Sequence, residues 1–169
     1  METSFFAYIQ QLELMAFFSG YPLFYALVNV IAGRLKSSTA TLVILLLPLT
    51  YALAGTLYVG LQLKNFYPNY SFGHIRSSIE QPFWTVWAVL SLLFWIPVFR
   101  KKPVFCLLHS LPFFFLLCKD LYYHSIDAHY DNNLIRNDMK IYTDSLLLQL
   151  GAFTLLALLF LIGKRIKRR

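Results

Sequence analysis

Residues 40–63 read ATLVILLLPLTYALAGTLYVGLQL, twenty-four residues without a charge. A bilayer core of about 30 Å takes roughly 17–25 helical residues to cross, so this stretch meets the length requirement unaided. The run from Leu42 to Leu47 is apolar at every position and lacks the period-two alternation of a membrane barrel strand. In hydrocarbon, backbone N–H and C=O groups must be satisfied within the segment, which predicts a helix.

Four more stretches qualify on either side, at 14–33, 82–99, 104–123 and 144–163. The prediction is an all-α integral membrane protein, a single domain over 1–169 with five transmembrane helices. Composition agrees: 58% of residues are hydrophobic and 14% charged, against about 45–50% and about 25% in soluble domains. A disordered chain, a nucleic-acid-binding domain and a disulfide-stapled secreted module are excluded as classes. Boundary residues support the spans. Ser37, Ser38 and Thr39 offer caps before the second, and Pro82 and Pro103 open the third and fourth. Asp144 and Ser145 are read as the start of the fifth. Aromatic residues crowd one interface, among them Tyr67, Tyr70, Trp84, Tyr122 and Tyr142.

Charge predicts orientation. Arg34 and Lys36 fall in 34–39, and Arg100, Lys101 and Lys102 in 100–103. Lys164, Arg165, Lys167, Arg168 and Arg169 fall in the tail, and none of these three segments holds an acid. Five spans put all three on one side, and basic short loops face the cytoplasm. The N-terminus is then extracytoplasmic, the C-terminus cytoplasmic, and a bacterial inner membrane the expected location. The net charge of +7 becomes a record of insertion direction and points to no nucleic-acid partner. The basic tail implies contact with anionic lipid of the bilayer, or with an acidic partner.

Cytoplasmic segments this short hold no folded domain. The outer loops, 64–81 and 124–143, carry apolar residues at helical spacing: Phe72, Ile75 and Ile79, then Leu134, Ile135, Met139 and Tyr142. These predict short interfacial helices on the outer surface, with a lid over an outward-opening cavity as the functional alternative. Residues 1–13 present Phe5, Phe6, Ile9 and Leu12 on one face, an interfacial lead-in. No basic segment precedes it, as a secretory signal requires.

Ionisable residues within spans are the default functional candidates. Cys106, His109, Phe113, Leu116 and Asp120 share one face of the fourth span, with His109 and Asp120 about 16 Å apart along the axis. With Glu13 and Asn29 they are the candidates for a transport path. The competing reading packs this face against neighbouring helices, with His109 bonded to a hydroxyl or amide, Asn29 being one candidate. Glu13 and Asp120 near the interface, with Lys119 beside them, suggest an ion pair. His124, Asp127, His129 and Asp131 are ligand types suited to a divalent metal, without a zinc-motif spacing. Pro22, Pro48, Pro97 and Pro112 fall inside spans and imply bends. Ala52, Ala54, Gly55 and Thr56 form a small-residue contact patch. Asn69 and Ser71 form a glycosylation sequon.

Neither Cys-x-x-Cys, His-Glu-x-x-His nor Gly-x-Ser-x-Gly occurs, and His109 is the single intramembrane histidine, whereas a bis-His haem needs two. No enzymatic activity and no cofactor are predicted. The expected function is that of a non-catalytic subunit or assembly factor of a larger membrane complex, with a membrane-protein partner or a homo-oligomer. The alternatives are a small channel or carrier using His109 and Asp120, and an extracytoplasmic sensor or metal-binding protein using the 124–131 loop.

Overall fold

The first hydrophobic stretch bends at its middle. In the computed structural model, which describes residues 2–126 and 132–166, α1 (Glu2–Phe18) and α2 (Tyr21–Ala32) are separated by Ser19 and Gly20. The cause lies just downstream: Pro22, in the first turn of α2, has no N–H for the carbonyl of Phe18 and its ring crowds that group. Gly20 completes the bend, because a Cβ there would meet the backbone of α8 at 2.7 Å from Leu146 N. Its own N–H donates to Ser145 Oγ at 2.9 Å.

The remaining elements are α3 (Ser37–Phe66), α4 (Phe72–Ser78), α5 (Pro82–Val89), a 3₁₀ stretch (Leu90–Trp95), α6 (Pro97–Arg100), α7 (Pro103–Ile126) and α8 (Asn132–Ile166). All regular elements among the described residues are helical. Four segments are long and apolar enough to cross a membrane: Phe5–Ala32, Ser38–Phe66, Pro103–Ile126 and Asn133–Ile166. The protein is therefore a helical integral membrane protein by length and composition.

Two expectations change here. The 82–99 stretch is not one helix; its apolar helical part, Pro82–Trp95, is shorter than the four spans. Pro97 drives the residue before it into an extended conformation, and Ile96 has φ −73° and ψ 131°. Nor is there a separate interfacial helix over 133–142. That segment contains neither proline nor glycine and runs unbroken into the last span as α8. The Ser145 hydroxyl, read as a helix start, receives Gly20 from the neighbouring helix instead. The other outer-loop helix is present as α4, with Ser71 as its cap.

The small-residue patch on α3 receives the 3₁₀ stretch. A Cβ on Gly55 would overlap the Ser91 hydroxyl and stand 2.8 Å from Ser91 Cβ. Trp95 is fixed alongside, its indole donating to Thr56 Oγ1 at 2.9 Å. The core above is aromatic and centres on Tyr51, fully buried, with Phe18, Tyr21, Phe94 and His109 around its ring at centroid distances of 4.5 to 5.6 Å.

Polar groups separate to the two ends of the bundle. One end gathers Gln10, Gln11, Glu13, Gln62, Gln81, Asp120, His124 and Asp138, joined across helices by hydrogen bonds. Helices α3 and α7 both finish at this end, so 33–36, 100–102 and the end of α8 lie at the other. Beyond Phe153, α8 leaves the bundle, and residues 158–166 are all exposed, apolar around the full turn as far as Ile162. An all-round apolar helix requires an apolar surrounding.

Gly55→Ala is expected to destabilise the folded protein in detergent by about 1–3 kcal/mol, the usual cost of overpacking a tight contact. Adding Ser91→Gly removes the overlap and should restore most of the loss. Thermal unfolding of the parent, both single variants and the double variant measures that coupling.

Candidate functional site

His109 was the principal intramembrane candidate, and it is sealed into the core. Its Nε2–H donates to the carbonyl of Trp87 at 2.9 Å, and its Nδ1 accepts from the Tyr51 hydroxyl at 2.7 Å. A carbonyl only accepts, so the neutral Nε2–H tautomer satisfies both partners at once. The Trp87 ring stacks on the imidazole at 4.9 Å and 5°, and the Trp87 indole N–H returns a bond to the His109 carbonyl at 3.1 Å. Phe94 and Phe113 also pack against the imidazole. The side chain joins α3, α5 and α7. Asn29 takes no part, since its amide donates to the Tyr25 carbonyl on its own helix at 2.8 Å.

His109 and Asp120 do share a face of α7. Phe113 and Leu117 lie between, both buried, and Phe18 stacks on Phe113 at 4.8 Å. Asp120 accepts from Gln11 on α1 at 2.8 Å. Lys119 points elsewhere, with its ammonium 5.8 Å from the ring centroid of Tyr123. Asp120 and Glu13 are thus held by neutral amides, and the expected Glu13–Asp120–Lys119 ion pairing is replaced by donors from Gln and Asn.

Of the four expected metal ligands, Asp127, His129 and Asp131 lie outside the described residues. His124 donates through Nδ1 to Asp138 Oδ2 at 2.6 Å, joining α7 to α8. No group of three or more His, Cys, Asp or Glu suited to a metal occurs among the described residues. Asp138 has no exposed surface, and its Oδ1 has no protein donor. Lys164 and Arg165 are exposed at the end of α8, while Lys167, Arg168 and Arg169 lie outside the described residues.

A polar arrangement able to receive a solute surrounds Glu13. Its carboxylate accepts from Gln62 at 2.9 Å and from Asn65 at 3.3 Å, both on α3. It faces a cavity of about 510 Å³ between α1, α3 and α4. His74, Ser77 and Ser78 of α4 line one side, and Glu80 contributes beyond them. Phe6, Ile9 and Phe66 supply apolar wall. Two amide side chains of α1 and α5 fasten the roof: Gln10 donates to the Ser78 carbonyl at 2.6 Å and accepts from Glu80 N at 3.0 Å, and Gln81 donates to the Ala7 carbonyl at 3.1 Å. Two acids, an imidazole, hydroxyls and aromatic surface bind well and lack an activated nucleophile. No described side chain offers Glu13 an ion pair within 4 Å.

Of these residues, sequence reasoning identified Glu13 and the helical spacing of 71–81. It missed Gln10, Gln62 and Asn65, whose signal was available: uncharged amides beside the ends of the apolar spans 14–33 and 40–63. It assigned no role to Asp138, which is buried and paired with His124.

Tyr51→Phe should leave the His109 Nδ1 buried without a donor and cost about 1–3 kcal/mol. His109→Phe should cost a similar amount, and the double variant less than the sum. Unfolding midpoints of the three variants test this; strict additivity would separate the two residues. Comparison of the chain with protein-family models, with curated proteins and with solved structures found no match.

Proposed function

We propose that this chain is a non-catalytic integral membrane protein that binds a small organic cation in the cavity around Glu13. The observation that carries this reading is a carboxylate held by neutral amides, facing a walled cavity and with no ion pair among the described residues. A primary or quaternary amine with an apolar body suits the site. Its charge meets Glu13, with Glu80 on the same wall, and its body lies on Phe6, Ile9 and Phe66, where aromatic faces also favour cations. Closure of the core by Phe18, Phe113 and Leu117 favours binding at one end over conduction along α7. The roof built from α4 corresponds to the lid alternative for the 71–81 segment.

The topology that goes with this reading has five crossings, with the 82–100 stretch as a broken third span. Its 3₁₀ part rises about 2.0 Å per residue in place of 1.5, which lets few residues reach further. The polar cavity is then extracytoplasmic, together with the N-terminus, and the basic segments are cytoplasmic, in a bacterial inner membrane. A second reading, membership of a larger membrane complex, is favoured by the exposed end of α8. That helix offers a partner, or a second copy of the chain, apolar surface on every side.

Topology is tested with single cysteines in a Cys106→Ala, Cys118→Ala background. An impermeant maleimide should label Ser71→Cys in intact cells and Lys102→Cys only after permeabilisation. Labelling of both in intact cells would leave four crossings. For binding, a panel of amines, carboxylates and neutral analogues is added to purified protein during thermal unfolding. Amines alone should raise the midpoint; at about one hundred times Kd the gain is about 2.7 kcal/mol. Glu13→Gln, which keeps an oxygen for Gln62, should abolish the gain while leaving the unliganded midpoint nearly unchanged. A flat response of the parent to every amine would defeat the proposal.

A further inference from the structure

A second concave surface lies on the side of the bundle, away from the Glu13 cavity and independent of it. The chain breaks at Ile96–Pro97, and α7 begins only at Pro103. A slot lies between α5 with the 3₁₀ stretch on one side and the start of α7 on the other, with Phe99 of α6 at the join. The slot has a volume of about 380 Å³. Its walls include Leu93, Phe99, Phe105 and Leu108, and Trp87 and His109 close its inner end. Phe105 and Leu108 are 41% and 55% exposed, and Leu93 is 38% exposed, so the slot opens sideways, where an integral membrane protein meets hydrocarbon. The polar atoms at the inner end are already used: both imidazole nitrogens and the indole N–H have partners. The slot therefore offers carbon surface alone.

Its other end is strongly charged. Phe99 and Phe105 line the slot, and the chain joining them consists of Arg100, Lys101, Lys102, Pro103 and Val104. The Lys102 ammonium sits 5.5 Å from the centroid of the Phe105 ring, which puts a cation at the slot mouth. Lys101 and Lys102 are exposed and Arg100 half-buried, with no ion pair to any of them among the described residues. An apolar channel ending in uncompensated positive charge has the complementarity of one ligand class, an anion carrying a hydrocarbon chain.

We infer that the slot between the 3₁₀ stretch and α7 is a binding site for an anionic phospholipid, one acyl chain lying against Leu93, Phe99 and Leu108 with its end at Trp87 and His109, and the phosphate held by Arg100, Lys101 and Lys102. Membrane lipid is the occupant because the slot is open to the bilayer along its side and because its charges stand at the mouth. A soluble anion would gain nothing from the carbon walls.

Trp87 reports occupancy directly. In a Trp84→Phe, Trp95→Phe variant it is the only indole, and bromine atoms on a lipid chain quench it on contact. The protein is reconstituted in phosphatidylcholine vesicles with a low, equal mole fraction of brominated-chain phosphatidylglycerol or phosphatidylcholine. Each basic residue near a phosphate is worth about fivefold in partition, so phosphatidylglycerol should be preferred by at least about fivefold, the preference falling as salt rises. Arg100→Gln, Lys101→Gln, Lys102→Gln together should equalise the two lipids without changing quenching by phosphatidylcholine. Leu93→Phe with Leu108→Phe, which narrows the slot, should lower quenching by both. Equal quenching by the two lipids in the parent overturns the proposal, as does a preference for phosphatidylglycerol that survives the triple replacement. Absence of quenching by either lipid shows that no chain enters and also overturns it. Retention of the parent unfolding midpoint identifies the variants that are folded.

Discussion

The close approach of Ser91 to Gly55 is the constraint on which the rest of the structure depends. Only a residue without a side chain lets the 3₁₀ stretch lie flush on α3. Once it lies there, Trp95 reaches Thr56 and Trp87 faces His109, so α7 is tied to α3 and α5 through one imidazole. The same placement sets the start of α5 against α1, where Gln81 and Gln10 fasten the roof over Glu13. It also leaves the slot open below, since α6 departs at Pro97 while α7 begins at Pro103. In a membrane, where burial of apolar surface gives little drive between helices, close packing and interhelical hydrogen bonds must supply the specificity. Gly55 and His109 supply one each.

The polar groups follow a consistent economy. Several deep in the bundle donate to helix carbonyls: Ser19 to Met15, Thr50 to Leu46, and Gln149 to Phe17 beside the bend of the first helix pair. The Tyr21 hydroxyl, the Ser91 hydroxyl and Gln149 Oε1 have no protein partner. The amides gather at one end, where they support carboxylates, and the other end holds Arg34, Lys36, Arg100, Lys101, Lys102, Lys164 and Arg165 with no acid among them. The two surfaces able to take a ligand therefore have opposite character. One is a polar cavity presenting a carboxylate; the other is an apolar slot bounded by cations.

Legibility differed from element to element for physical reasons. The stretch at 40–63 was predicted within a few residues of α3, and 104–123 within a few of α7, because an unbroken apolar run has no other use for its backbone in hydrocarbon. The 82–99 stretch has the same composition but breaks, since Pro97 and the contact with Gly55 impose a geometry that hydropathy does not register. The extension of the last span upward to Asn132 was hidden by Asp144 and Ser145, whose capping chemistry is diverted to another helix. For the sites, Glu13 stood out as a carboxylate at a span boundary, and His109 as a lone imidazole within one. Their opposite roles were not visible, because whether a polar side chain faces a cavity or a core depends on helices far away in the chain.

By itself, then, the sequence determined that the chain belongs in a membrane, that it does so as helices, and that ten of its fifteen Lys and Arg residues collect in three segments. These properties are sums over local composition, and no neighbour can alter them. Only the tertiary structure decided that Tyr51 and Trp87 consume both nitrogens of His109, that Gln62 and Asn65 hold Glu13 toward a cavity, and that Asp138 pairs with His124. Each of these joins residues on different helices. Which faces meet is set by the crossing geometry at a few small residues, and that geometry exists only once the helices have packed.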